Sequence, residues 1–318
     1  MIFNPFVRPG NPAPGGGRPA GTSGSGRRFF LWVFLAALCW TGSAIGQSEK
    51  QADSLPRGLY PDFKPHGDIR RFDGERLLFD ISFLFFENAA TADIHFFQKN
   101  GRFYSVLKAE TKGFVGFFTA YRRHYYRASF DLIDNGSRVR TRKFEREVIV
   151  GSKVENTVHY LDYHNRRHFW FKRVNNKIVE QENNEIPEGK YYDDILAAFY
   201  NFRNEVYGPI RKGARYKIDT IPDKGMTDIT VNIFSEAEQE KMRRQMDRPK
   251  AEELLLRVII PKEVFKTENG ELLFWASPHF IPLETTVVNY LLLGDLHVKF
   301  RERLIQKNPP GPTPIKAR

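Results

Sequence analysis

Cysteine is almost absent from this chain of 318 residues, which contains only Cys39. One thiol cannot form an internal disulfide, and removal of the N-terminal segment on export would leave neither a thiol nucleophile nor a cysteine metal ligand. The motifs of serine hydrolases, P-loop proteins, dinucleotide-binding folds and zinc metalloproteases are also missing. The sequence therefore predicts no metal site and no bound cofactor; it favours a protein that is not an enzyme but leaves that question open.

Long apolar runs are scarce as well. The longest, from Phe29 to Trp40, is shorter than the ~20 residues that span a bilayer. It follows Arg27 and Arg28 and precedes small residues that end at Gly46, an order typical of a secretory signal. We therefore predict a signal peptide at 27–46, cleaved after Gly46, and a location in the periplasm of a Gram-negative bacterium. The alternatives are an uncleaved membrane anchor and acylation of Cys39.

Composition divides the chain around one domain. Residues 1–26 are rich in Pro and Gly and predict a disordered extension, and 47–73 read as a polar, extended linker. Residues 74–305 alternate like strands and predict a single antiparallel β domain, followed by a Pro-rich disordered tail at 306–318.

Acidic residues are too few to balance the basic ones, and the formal charge is +11. Residues 1–46 contain four arginines and no acidic residue, so the remainder stays basic after signal cleavage. An excess of positive charge favours anionic surfaces. For an exported protein we expect an anionic lipid, a glycolipid or an envelope protein as partner, and no nucleic acid.

Asn-Gly pairs separate several strand-like runs. Asn100-Gly101 and Asn135-Gly136 are strong hairpin signals because both turn positions need positive φ, and Asn175-Asn176 predicts a third turn. About twelve antiparallel strands cannot remain one open, uncurled sheet, because twisted sheets rarely exceed ~10 strands. The predicted fold is mainly β, with a curved sheet that forms a barrel or half-barrel.

Two helices interrupt the strands. The run DDILAAFYNFR predicts a helix over about 193–206 with Asp193 as N-cap, and its stripe of Ile195, Phe199, Phe202 and Val206 predicts packing in or over the concavity. A capping box at 235–238 begins a polar helix, predicted over about 236–247, which lacks an apolar stripe and is expected to be a surface insertion.

Several motifs together resemble a known family. GERLLFDISF at 74–83, the DDILAAFYNFR helix, FWASPHFIPLETT and GDLHVKF are similar in order and spacing to the bacterial domain-of-unknown-function family 3108. The resemblance covers roughly 70–305, and it implies an exported, β-rich envelope protein. It also suggests a remote similarity to the curved-sheet carriers of lipoproteins or lipids in the periplasm.

Our functional hypothesis is an exported envelope protein that binds a hydrophobic or amphipathic ligand, such as a lipid, glycolipid or lipoprotein, in the β concavity. Apolar side chains would exclude water and arginines would meet an anionic head group. For Arg203 the alternative is an ion pair with a neighbouring carboxylate, and for the acidic pair at 193–194 capping explains more than catalysis does. The other hypothesis is a structural or assembly factor whose concavity is filled. The candidate ligand-binding residues are Phe83, Phe85, Phe117, Arg122, Arg123, Phe199, Phe202 and Arg203.

Overall fold

The structure is a computed structural model that describes residues 67–83, 86–223, 226–249, 252–261, 269–288 and 295–306. The disordered extension, the signal peptide, most of the linker and nearly all of the tail predicted above lie outside the described residues, as does Phe85. Ile69–Phe72, at the end of the predicted extended linker, instead form a 3-10 helix whose Ile69 and Phe72 are buried.

Fourteen strands and three α-helices make up the described chain. The helices are α1 (Gly113–Phe118), α2 (Ile195–Arg203) and α3 (Glu236–Gln245). The strands are β1 (Glu75–Phe83), β2 (Phe86–Lys99), β3 (Arg102–Thr111), β4 (Arg123–Ile133), β5 (Arg138–Val150), β6 (Lys153–Asp162), β7 (Arg167–Val174), β8 (Lys177–Glu185), β9 (Arg215–Asp223), β10 (Met226–Ile233), β11 (Leu254–Ile259), β12 (Glu271–Ala276), β13 (Pro282–Val287) and β14 (Leu296–Ile305).

All fourteen strands belong to one antiparallel sheet in the order β8-β7-β6-β5-β4-β3-β2-β1-β14-β13-β12-β11-β10-β9. Two meanders, β1 to β8 and β9 to β14, are joined where β1 pairs with β14. The end strands β8 and β9 do not pair with each other, so the sheet is not closed. The prediction of a curved antiparallel sheet is confirmed, in its half-barrel form.

The hairpin turns follow from local chemistry. Asn100 and Gly101 connect β2 to β3 with φ of 50° and 75°, and Asn175 and Asn176 connect β7 to β8 with φ of 47° and 66°. Asparagine and glycine tolerate this left-handed region better than other residues. Between β4 and β5 the turn is instead a short 3-10 helix, Asp134–Gly136.

Helix α2 fills the gap between the two halves of the sheet. On one side Asp193, just before the helix, makes a parallel bridge to Thr220 in β9. On the other side Asn201 accepts from the Val139 N–H of β5 at 3.0 Å and donates to the Val139 carbonyl at 2.8 Å. The predicted placement of the helix in the concavity is therefore correct.

The predicted limits of this helix need correction. The N-cap is Asp194 and not Asp193, because the Asp194 carboxylate accepts from the N–H groups of Leu196 and Ala197. The helix ends at Arg203, three residues before the expected end, since Glu205 adopts a left-handed φ of 55°. Val206 consequently lies outside the helix.

Helix α3 begins with the predicted capping box between Ser235 and Glu238. It ends at Gln245, two residues earlier than predicted. Although it lacks an apolar stripe, its Arg243 is buried over the Trp275 ring, 4.5 Å from the centroid. A cation over an aromatic face thus holds this surface insertion to the sheet.

Candidate functional site

Helix α2 is apolar on two faces, and only one of them packs tightly. Leu196, Tyr200 and Arg203 are almost fully buried. The Tyr200 ring centroid lies 4.5 Å from that of Phe96 and 5.4 Å from that of Phe72. The predicted stripe of Ile195, Phe199 and Phe202 lies next to this buried stripe and stays partly accessible. The residues whose spacing predicted packing against the sheet therefore also line an open space.

That space is a partly open cavity of about 280 Å³ between α2 and the concave face of the sheet. Its walls are almost entirely carbon. They comprise Phe79, Ile81, Ala90, Ala92, Ile94, Leu107, Ala109, Ile195, Leu196, Ala198, Phe199, Phe202, Ile218, Ile229, Val231, Leu256, Val258, Ile260, Leu272, Phe274, Ala276, Phe280, Pro282, Val287, Leu296 and Val298, with Glu110, Thr111, Arg122, His124, Arg203 and Thr285 as the polar members.

Small residues explain why the cavity is hollow. Ala90 and Ala92 in β2 and Ala109 in β3 face the concavity and contribute only methyl groups there. Larger side chains fill the concavity at the opposite end of these strands. At that end, where β2 turns into β3, the Phe96 ring stacks on that of Phe103 with centroids 5.6 Å apart, and the Phe130 ring, from β4, lies 6.1 Å from the Phe96 ring. The sheet is thus packed at one end and hollow at the other.

Arg122 lies in the cavity wall next to the exposed residues Lys112 and Tyr121, and we take this side as the open end of the cavity. It precedes β4, and its backbone carbonyl accepts from the Thr111 N–H at 3.0 Å. Among the described residues its guanidinium makes no salt bridge, and its Nε is buried without a hydrogen-bond partner. An uncompensated cation at the edge of an apolar cavity is available for an anionic group.

Arg203, predicted as a ligand-binding cation, has an internal partner instead. Its guanidinium donates to the two carboxylate oxygens of Glu75 at 2.5 and 3.1 Å, with side-chain exposures of 1% and 0%. Arg303 donates to the same carboxylate from Nε at 2.9 Å. The ion-pair interpretation is therefore correct, and the anion-clamp interpretation of Arg203 is dropped.

The remaining predicted residues lie at different places. Phe83 ends β1 and is partly exposed, and it is not part of the cavity wall. Arg123 begins β4 and is also outside the wall. Phe117 lies in α1 and is 68% exposed. Of the predicted residues that the structure describes, Arg122, Phe199, Phe202 and Arg203 contact the cavity.

The walls contributed by β10 to β14 were missed by sequence reasoning. Ile229 and Val231 in β10 and Leu256 and Val258 in β11 occupy alternate positions, as do Leu272 and Phe274 in β12. Their alternation was readable as strands with one apolar face. It could not show that this face opposes β2 and β3 across the concavity.

The acidic pair before α2 is structural. Burial raises the pKa of Asp194 to about 7, although the carboxylate accepts from the Thr141 hydroxyl at 2.6 Å and caps the helix. Burial also raises the pKa of Asp193. The Arg138 guanidinium, 3.0 Å from the Asp193 carboxylate, acts in the opposite direction and lowers this pKa. Asp193 accepts from Tyr207 and Asn201 as well, so these groups are occupied in holding α2.

Two histidines face each other on β6 and β7. His159 Nδ1 lies 3.0 Å from His168 Nε2, and the rings stack with centroids 5.3 Å apart. Burial, followed by the neighbouring His168 ring, lowers the pKa of His159, and burial lowers that of His168. The pair is therefore neutral at pH 7.

Other chemistry has little support in the described part of the chain. The Ser277 hydroxyl, near His279, accepts from the N–H groups of His279 and Ile281 and stabilises the turn after β12. No group of three or more metal-ligating side chains occurs among the described residues. None of the helices described is long and apolar enough to cross a membrane.

Comparisons with known proteins add little to this geometry. No family model matches the chain, so membership of family 3108 is not confirmed, and a search of curated proteins found no match. A search of solved structures found a β-barrel-like protein of the domain-of-unknown-function family 1849 from Brucella abortus. It is 8% identical with a TM-score of 0.41, over 74% of this chain and 98% of that one.

Proposed function

We propose that this protein binds an amphipathic ligand with one apolar chain and an anionic head group in the cavity beneath α2. The observation that carries the proposal is that Phe199 and Phe202, although packed against core residues on one side, also line a hollow, carbon-lined space and stay partly accessible. The other hypothesis, a ligand-free assembly factor, expects a concavity filled by side chains.

The size of the cavity indicates the size of the ligand. Pockets for small molecules measure ~300–1,000 Å³ and are mostly apolar with a few placed polar groups. At about 280 Å³ this cavity lies at the lower limit of that range. It therefore fits one acyl-like chain better than a lipid with several chains.

The anionic head group is proposed from the position of Arg122. This arginine lies at the open end of the cavity, while Arg203 is neutralised by Glu75. A chain that enters the cavity would leave its head group at the opening, beside the guanidinium. Arginine suits this role because its fork of N–H donors matches carboxylate and phosphate oxygens.

Export to the cell envelope is part of the proposal. It is supported by the order of residues at 27–46, in which basic, apolar and small residues follow one another. A periplasmic location would place the protein among lipids, glycolipids and lipoproteins. We propose lipid or glycolipid as the ligand class, because the walls offer almost no hydrogen-bonding groups for a more polar molecule.

The test is to fill the cavity without changing its polarity. Ala109→Phe places a ring in the hollow end, whereas Val106→Phe adds the same ring to the opposite face of β3 and serves as the matched control. Native mass spectrometry with lipid extraction is applied to the proteins purified from the envelope of their own host. Overpacking costs ~1–3 kcal/mol, so we expect about 5- to 150-fold weaker loading of Ala109→Phe.

The wild type and Val106→Phe should carry a ligand of one defined mass. A wild-type protein of bare polypeptide mass, including after exposure to envelope lipids, would overturn the proposal. That result would favour the assembly-factor hypothesis, for which the exposed end strand β8 is the supporting observation, because all nine of its residues are exposed.

A further inference from the structure

We infer that the open end of the cavity docks on an anionic lipid bilayer through α1 and the residues that flank it. The docking surface is named here the rim patch and consists of Lys112, Phe117, Tyr121, Arg122 and Arg123. This inference rests on the proposed function and names the partner of the same site, a membrane surface from which an amphipathic ligand is taken or to which it is delivered.

The aromatic residues of the rim patch are unusually exposed. Phe117 is 68% exposed, more than any other large hydrophobic side chain that the structure describes, and Tyr121 is 54% exposed. Exposing such rings to water costs free energy in proportion to the apolar surface area that is exposed. Aromatic rings next to basic residues are typical of surfaces that lie at the head-group level of a bilayer.

The backbone holds these rings outward at a cost. Ala120 and Tyr121 both have left-handed φ angles, 52° and 49°, which disfavour residues with a Cβ. The Thr119 hydroxyl and a bond from Gly151 N–H to the Ala120 carbonyl at 2.8 Å fix the segment to its neighbours. The Tyr121 ring lies against Gly116, where a Cβ would come within 2.9 Å of it. Strain of this kind persists where the surrounding structure imposes it, and it clusters at functional segments.

The charge of the rim patch matches an anionic surface. Residues 110–123 contain Lys112, Arg122 and Arg123 and a single acidic residue, Glu110. Neither Lys112 nor Arg123 makes a salt bridge among the described residues, so their charges are available to lipid head groups. Basic residues near an anionic leaflet each contribute attraction that salt screens.

The rim patch is continuous with the cavity, which is why we commit to a bilayer as its partner. Arg122 belongs to both, and Thr111 and Glu110, at the end of β3, line the cavity directly before Lys112. A ligand could therefore pass between the bilayer and the cavity without its apolar chain crossing water.

An environment-sensitive fluorophore at position 117 tests the inference. The full chain carries Cys39→Ala, so that the label attaches only to Phe117→Cys, and the control carries the label at Phe169→Cys. Phe169 is also an exposed aromatic residue, at 38%, but it lies in β7, away from the cavity. Vesicles of phosphatidylcholine, with or without about one-third phosphatidylglycerol, provide the surface.

We expect a blue shift of the label at 117 on anionic vesicles, and none at 169. Lys112→Glu and Arg123→Glu should each weaken vesicle affinity at least about fivefold, the fold-change that corresponds to ~1 kcal/mol per basic residue near the surface. Added salt should weaken it further. No shift at 117, an equal shift at 169, or an equal shift on pure phosphatidylcholine would overturn the inference.

The label reports on the surface and does not require an occupied cavity, so the two proposals fail separately. If the wild-type protein has the mass of the bare polypeptide but the label at position 117 still shifts, the ligand proposal is overturned and the docking surface stands. A lipid-loaded protein whose label does not shift would remove the docking surface alone.

Discussion

Replacing the buried Glu75 carboxylate is expected to lower the free energy of unfolding more than any other change considered below. This carboxylate has no exposed surface and accepts three hydrogen bonds, two from Arg203 and one from Arg303. Glu75→Gln keeps the shape of the side chain, removes its charge and turns an amide NH₂ toward guanidinium donors. Both arginines then lose the charge of this carboxylate, and Arg203, at 1% exposure, cannot reach water.

Breaking a buried ion pair costs ~3–5 kcal/mol, because an uncompensated charge remains in the interior. Arg303 is 10% exposed and can recover some hydration, so we expect about 4 kcal/mol in total. For a domain of this size each kcal/mol lowers Tm by ~2–4 °C, and the expected fall in Tm is therefore about 8–16 °C. Thermal and urea unfolding followed by circular dichroism measure both quantities.

The matched variant removes all three charges. Glu75→Leu combined with Arg203→Met and Arg303→Met should recover most of the lost stability, because apolar side chains of similar volume replace buried ion networks at little cost. It should also load ligand like the wild type, whereas Arg122→Met should load less. A loss below ~1 kcal/mol for Glu75→Gln, or loss of loading in a stable triple variant, would refute the structural assignment of Arg203.

Three further outcomes are expected. His168→Gln should make the free energy of unfolding less dependent on pH. Burial lowers the pKa of His168, so below pH ~6.5 the unfolded state binds a proton that the folded state does not, and the wild type loses up to ~1.4 kcal/mol of stability per pH unit as pH falls. Asp194 acts in the opposite direction because its pKa is raised, and the difference between wild type and variant in urea unfolding at pH 7 and pH 5 cancels its contribution. Asp194→Ala should cost ~2 kcal/mol or more of stability, since it removes a buried helix cap and the partner of Thr141. Ser235→Ala, at the exposed cap of α3, should cost only ~1 kcal/mol, and equal losses for the two caps would contradict this account.

Local features were predictable because neighbouring residues decide them. Asn100-Gly101 and Asn175-Asn176 formed turns with the expected positive φ, since their short side chains or missing Cβ permit it. The capping box at Ser235 marked the start of α3 correctly. The helix at 195–203 was located because its apolar residues recur at helical spacing, but its ends were misjudged by two or three residues.

The site was predictable only in part. Phe199 and Phe202 were recognised as apolar residues of one stripe, and both line the cavity. The sequence could not show which stripe of α2 would be packed, because Leu196 and Tyr200 form an adjacent stripe that is equally apolar. That choice depends on which side of the helix meets the large aromatic residues of the sheet.

By itself the sequence determined most of the strands, two of the hairpin turns, the helix within the concavity and the basic excess, because periodicity, turn chemistry and composition act over a few residues; it missed α1 and predicted about twelve strands where the structure has fourteen. Tertiary structure alone decided three things. It paired β1 with β14, it joined Arg203 to Glu75 across 128 positions of the chain, and it set the alanines of β2 and β3 opposite β10 to β12 so that a hollow remained. These are long-range contacts, and which residues meet in them follows from the curvature of the sheet around α2, which no local pattern encodes.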